Sequence, residues 1–184
     1  MAMSDLKEIA RIESEADLLH TQKQVEQAIQ RVADELNAAY AKRNPIILTV
    51  LNGGIPFAGQ LLTKLRFPLE LDSIQATRYR GQTSGGGLHW LHEPSTALSG
   101  RSVLIVDDIL DEGITLAEIV AYCRHHGASD VATVVLVDKD IGRNRPCEAD
   151  FAALKTANRY LFGYGMDYKH YLRNAAGIYA CKEA

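Results

Sequence analysis

The chain is poor in the features that mark several common protein classes. Its 184 residues hold only three cysteines, Cys123, Cys147 and Cys181. They are odd in number, widely spaced and without a CxxC pair, which disfavours both a disulfide framework and a zinc site. No apolar run reaches membrane-spanning length, and no N-terminal hydrophobic leader is evident. Runs of like charge, internal repeats and low-complexity tracts are lacking too, so neither a charged tail nor a repeat array is expected. A formal net charge of -3 argues against a general nucleic-acid binder, but not against an anionic substrate, because local donors decide that. These absences predict a reduced, soluble, cytoplasmic protein with no membrane or nucleic-acid partner. The chain is 47% hydrophobic and 23% charged, enough for one core and a single domain over residues 1–184.

The rest of the chain is organised around Val103 to Leu116. Val103-Leu104-Ile105-Val106 reads as a buried strand, Asp107, Asp108, Asp111 and Glu112 with Gly113 form an acidic loop, and helical apolar spacing runs from Ile114 to Cys123. A strand opening into a helix start offers unpaired N–H groups to a phosphate, and nearby carboxylates suit a metal or sugar hydroxyls. Upstream, residues 4–42 have helical spacing with Thr21 as a cap, an N-terminal helical segment. Pro45 to Leu51 is a second apolar strand, followed by Asn52-Gly53-Gly54 and helical spacing from Ile55 to Leu65. Leu69 to Thr77 predicts a further strand, and Gly81 to Gly87 a loop rich in Gly, Ser and Thr. Val131 to Val137 is another buried strand, ending at Asp138-Lys139-Asp140. This alternation predicts an α/β fold with a mainly parallel twisted sheet flanked by helices, its core over about residues 45–149. The segment from about 150 to 184 breaks the alternation and is expected to form a small C-terminal hood.

Four apolar residues, two acids, two apolar residues, an acid and a glycine two places on, from Val103 to Gly113, resemble the phosphoribosyl-diphosphate signature of the type I phosphoribosyltransferases. Leu51-Asn52-Gly53-Gly54, Arg78-Tyr79 before the Gly/Ser loop, Val137-Asp138-Lys139, and Tyr160 to Arg173 follow in the order expected of the hypoxanthine-guanine (6-oxopurine) branch. The resemblance covers roughly residues 45 to 181.

It implies a purine-salvage transferase that uses Mg²⁺, a 6-oxopurine base and phosphoribosyl diphosphate, assembled as a homodimer or homotetramer. Asp107 and Asp108 would hold the ribose and, with Asp167, the metal; Leu110, Glu112, Gly113, Ile114 and Thr115 the 5′-phosphate; Asn52, Gly53 and Arg173 the pyrophosphate. Asp111 stands where the family has its general base near purine N7, and Arg78 and Tyr79 border its flexible loop. Lys139, Tyr160, Leu161 and Asp167 would receive the purine. Physical chemistry supports several of these roles. Two carboxylates accept from a ribose diol or bind Mg²⁺, and a lysine, carrying only donors, suits a 6-oxo group and not a 6-amino group. Lys155 competes with Lys139 for that contact. Two positions depart from the family pattern: Glu112 stands where many relatives have Thr, and Asn52 where they often have Lys. Glu112 is therefore expected to face away from the phosphate. A xanthine-preferring transferase and a non-catalytic phosphoribosyl-diphosphate sensor are the alternatives. His89 and His92 have no further Cys or His nearby to complete a metal site.

Overall fold

The computed structural model describes residues 3–78 and 88–182. In chain order its elements are α1 (Met3–Glu15), β1 (Asp17–His20), α2 (Gln22–Tyr40), β2 (Ile46–Val50), α3 (Ile55–Leu62), β3 (Glu70–Arg78) and β4 (Leu88–His92). They continue with β5 (Ser102–Leu110), α4 (Ile114–His125), β6 (Asp130–Asp140), β7 (Phe151–Ala157), β8 (Leu161–Phe162) and β9 (Ile178–Ala180). A six-stranded sheet has the order β4-β3-β2-β5-β6-β7, parallel throughout except for edge strand β4. Among the described residues no helix is long and apolar enough to cross a membrane.

The near-continuous apolar runs of β2 and β5 follow from helices covering both faces of a parallel sheet. Side chains alternate along β5. Leu104 and Val106 join the buried cluster of Val25, Ile29, Leu36, Phe57 and Leu61 from α2 and α3. Val103 and Ile105 turn to Leu116, Ile119 and Cys123 of α4. α2 begins where a capping box fixes it: the Gln24 N–H donates to Thr21 Oγ1 at 3.4 Å and the Thr21 N–H to Gln24 Oε1 at 2.8 Å. Such a cap contributes about 1 kcal/mol. Because β2, β5 and β6 are parallel neighbours, their carboxyl ends open on one edge, where open α/β sheets bind ligands.

The structure differs from the sequence expectation in three places. β5 runs on through Leu110, with Asp107 opposite Val135 and Ile109 opposite Val137, so the paired acids end a strand and do not stand in a loop. β7, expected in the hood, is the last strand of the large sheet. β1 interrupts the N-terminal helical segment and pairs with β9, so the small antiparallel sheet β1-β9-β8 draws on both ends of the chain. Short strands of this kind lack the length to display a period in sequence. Tyr79, the Arg78 side chain and Gly81 to Gly87 lie outside the described residues.

Candidate active site

A cavity of about 370 Å³ opens at the shared strand edge, between the ends of β2, β5 and β6 and the segment from Tyr160 to Arg173. Asp107 and Asp108 form its floor. Both are buried, and the Asp108 N–H donates to Asp107 Oδ1 at 2.9 Å. Burial, then the neighbouring Asp108 charge, pushes the Asp107 carboxyl well above the ordinary range. Burial also raises Asp108, against a hydrogen bond from Asp107 and the field of the Arg173 guanidinium, which lower it. A doubly ionised pair here is short of countercharge.

The loop after β2 supplies the opposing wall. The Leu51-Asn52 peptide is cis. Gly53 has no room for a side chain, since a Cβ would overlap the Asp108 carboxylate; at Gly54 it would lie 2.7 Å from the Val50 carbonyl oxygen. Gly165, with φ of 109°, abuts the Gly53 carbonyl in turn. Backbone thus approaches the carboxylates and leaves the cavity to a ligand.

The chain after β5 turns at Gly113, whose φ of 74° suits glycine. Gly113 caps α4 without a side-chain bond, which leaves the helix's first N–H groups without a capping acceptor at the edge of a second cavity of about 220 Å³ lined by residues 107 to 113, Thr115 and Leu116. An uncapped helix start beside a cavity is a setting that suits an anion. Glu112 is at its rim, its Oε1 2.9 Å from Arg143 Nη2. Leu110 is buried and Ile114 is exposed, so any phosphate contact from these two comes from backbone.

Lys139 is the penultimate residue of β6, and its Nζ lies 3.0 Å from Asp111 Oδ2. Its side chain is 10% exposed and lines the first cavity, whereas that of Lys155 is 82% exposed and lies 3.8 Å from Asp138. The structure therefore brings Lys139, not Lys155, to Asp111. Tyr160, Leu161, Met166 and Ile109 add the apolar walls. Arg173 closes the site, its Nη2 2.7 Å from Asp167 Oδ1 and its Nη1 donating to the Gly165 carbonyl at 2.6 Å. The other Asp167 oxygen accepts the His170 N–H at 2.7 Å.

Sequence reasoning missed Arg145. Its guanidinium is 8% exposed and donates to the Lys139 carbonyl at 3.0 Å and the Leu110 carbonyl at 3.3 Å, while pairing with Asp138 at 2.8 Å and Glu148 at 2.7 Å. It ties the end of β5 to the end of β6, and so Asp111 to Lys139. In sequence it looks like Arg143, an exposed residue two places earlier. Ile109 and Met166 were missed as well, since an apolar residue near a strand end or in a turn gives no sign that it lines a cavity.

Among the described residues no three or more His, Cys, Asp or Glu cluster as a metal cage. The paired carboxylates nevertheless fit Mg²⁺, which binds through one or two carboxylates together with substrate phosphates, and their missing countercharge is what a divalent ion supplies.

The chain matches the phosphoribosyl transferase domain over residues 15–169. It is 30% identical over 168 residues to a hypoxanthine-guanine phosphoribosyltransferase of Bacillus subtilis, with 91% of this chain and 93% of that protein covered. It is 35% identical over 158 residues to the bifunctional protein TilS/HprT of Listeria innocua, covering 85% of this chain; it spans only about a quarter of that longer protein's length, 24%. A solved hypoxanthine-guanine-xanthine phosphoribosyltransferase superposes with a TM-score of 0.84 at 30% identity, over 92% of this chain and 99% of the other.

Proposed function

The chain belongs to the phosphoribosyltransferase family, and from that premise we propose that it is a purine-salvage enzyme joining hypoxanthine or guanine to phosphoribosyl diphosphate. The products are IMP or GMP and pyrophosphate. The observation that carries this reading is the Lys139–Asp111 pair, 3.0 Å apart, over a floor of two buried aspartates. A 6-oxopurine protonated at N7 presents an acceptor, O6, beside a donor, N7–H. The lysine donates to the first and the carboxylate accepts from the second. Adenine carries an amino donor where O6 stands, so Lys139 would be left facing an amino group.

In the reaction the base N9 forms a bond to ribose C1 as the bond from C1 to the diphosphate oxygen breaks. Asp111 takes the N7 proton, which leaves the new nucleotide neutral at the ring. Asp107 and Asp108 accept from the ribose hydroxyls. Thr115 and the N–H groups from Leu110 to Ile114 hold the 5′-phosphate, with Arg143 offsetting the charge of the Glu112 carboxylate at the cavity rim. Asn52, Gly53 and Arg173 border the space for pyrophosphate. Mg²⁺, when bound at Asp107 and Asp108, supplies countercharge to the diphosphate. Asp167 has both oxygens engaged, which favours a role in fixing Arg173 over direct metal ligation. Tyr160 and Leu161 provide the stacking wall and edge for the base.

The cytoplasm is the compartment we propose, supported by three free thiols. A homodimer or homotetramer is proposed on the resemblance, supported by exposed Ile55 and Leu71 beside an apolar groove. The test is turnover with hypoxanthine, guanine, xanthine and adenine, with and without Mg²⁺. Product from the first two and not from adenine supports the proposal; xanthine preference, or binding of phosphoribosyl diphosphate without turnover, supports one of the alternatives.

A further inference from the structure

The first helix lies outside the matched domain, which begins at residue 15, yet it makes specific contacts with the purine side of the cavity. Ile9 is buried with Phe162 and Leu172 in a cluster separate from the two that cover the large sheet, with Ile12 and Tyr168 packed against it. Glu8 Oε1 accepts from the Tyr168 hydroxyl at 2.8 Å and from Lys169 Nζ at 2.8 Å. The Tyr168 ring meets Tyr160 edge to face, centroids 5.6 Å apart and planes at 74°. Tyr160 lines the cavity, more than half exposed; Tyr168 is its ring contact among the described residues, beside a hydrogen bond that the Lys169 backbone gives to its hydroxyl. Tyr168 also follows Asp167, the partner of Arg173.

We infer that α1 acts on base binding through a relay, Glu8 to Tyr168 to Tyr160, in which Glu8 and Tyr168 are positioning residues for the aromatic wall; this rests on the purine-transfer reading. A half-exposed ring that must stack on a base loses rotational freedom on binding, and ordering it beforehand lowers that cost. The hydroxyl bond fixes the Tyr168 ring, and its edge contact biases the Tyr160 plane. The 5′-phosphate loop at Gly113 shares none of these contacts, and Arg173 on the pyrophosphate side is held by Asp167 and not by Tyr168, so the effect falls on the base far more than on phosphoribosyl diphosphate.

The experiment compares Glu8→Ala, Glu8→Gln and Tyr168→Phe with the parent in the full chain. KM is measured separately for hypoxanthine and phosphoribosyl diphosphate, and Tyr160 is followed by NMR of ring-labelled tyrosine in the ligand-free protein. Glu8→Ala and Tyr168→Phe are each expected to raise the hypoxanthine KM by about threefold to tenfold, the scale of one net hydrogen bond. The KM for phosphoribosyl diphosphate and kcat should hold, and the Tyr160 ring signal should move. Glu8→Gln, whose amide oxygen still accepts from the Tyr168 hydroxyl, should restore most of the parent behaviour. The inference is overturned by an unmoved Tyr160 signal, by equal rises in both KM values, or by a Gln variant as impaired as Ala, which would assign the effect to Lys169. A parent protein inactive on both hypoxanthine and guanine would instead refute the purine-transfer reading; the ring signal would still decide whether the relay exists.

Discussion

Lys139 Nζ stands 3.0 Å from Asp111 Oδ2, a cation and a carboxylate held side by side at the ends of adjacent strands. Each is the counterpart of one atom on a 6-oxopurine edge, and their contact without a base keeps both charges compensated. Replacing Asp111 with Asn keeps the shape and removes the proton acceptor. Turnover is expected to fall by about 10²- to 10⁴-fold, the usual worth of a positioned acid or base, with little change in phosphoribosyl-diphosphate affinity. Steady-state kinetics beside calorimetry checks this; unchanged turnover would remove Asp111 from its role.

Lys139→Ala should weaken hypoxanthine and guanine use by about tenfold to a hundredfold, the scale of a hydrogen bond to a charged group, while sparing phosphate affinity. Lys155→Ala, at an 82% exposed side chain, should change neither. A Lys139 variant using hypoxanthine as well as the parent would contradict the base-selecting contact.

Gly53→Ala places a methyl on the Asp108 carboxylate. Relief requires either the carboxylate or the loop to move, at a cost of about 1–3 kcal/mol, and turnover should drop more than stability does. Gly59→Ala in α3 is the control, because a Cβ there meets nothing within 4 Å. It should stabilise the helix by about 0.5–1 kcal/mol without touching activity. Thermal melts and rates on the two variants distinguish the site effect from a general glycine effect.

Asp107→Asn is expected to abolish activity yet raise the melting temperature at neutral pH. Burial raises the folded-state pKa of Asp107 above its unfolded value, so the native state binds more protons across that window. Stability from this group is therefore greatest below the ordinary aspartate range and is lost as pH rises through that range toward the folded pKa. Asn carries no such loss and keeps an oxygen for the Asp108 N–H. The gain should shrink on acidification to about pH 4. A variant less stable than the parent at pH 7 would mean that the pair is not strained by its own charge.

Arg145→Ala removes donors from the Lys139 and Leu110 carbonyls and leaves Asp138 without its guanidinium. Breaking such a nearly buried pair costs about 3–5 kcal/mol. Lysine should rescue little, lacking the fork that reaches carbonyls and carboxylates together. Urea unfolding of the Ala and Lys variants measures both, and a fully stable Lys variant would argue against the fork geometry.

The sheet was legible because β2, β5 and β6 are buried on both faces and spell out apolar runs. Asp107, Asp108, Asp111 and Gly113 were legible because strand, acids and glycine follow one another without interruption. Arg145 was not, because its importance lies in carbonyls that only the folded chain brings within reach. Nor was the role of α1: Glu8 meets Tyr168 across 160 positions, and local periodicity carries no such information. The choice between Lys139 and Lys155 likewise needed the register of β6 on β7, which sets the first inward at the cavity and the second out in solvent.

On the proposed reading this site joins a 6-oxopurine, and not adenine, to phosphoribosyl diphosphate. The most direct measurement follows nucleotide and pyrophosphate release with hypoxanthine, guanine, xanthine and adenine at saturating phosphoribosyl diphosphate and Mg²⁺. Stoichiometric pyrophosphate is expected with IMP or GMP, and none above background with adenine. Efficient AMP formation, or binding with no product from any base, would contradict it.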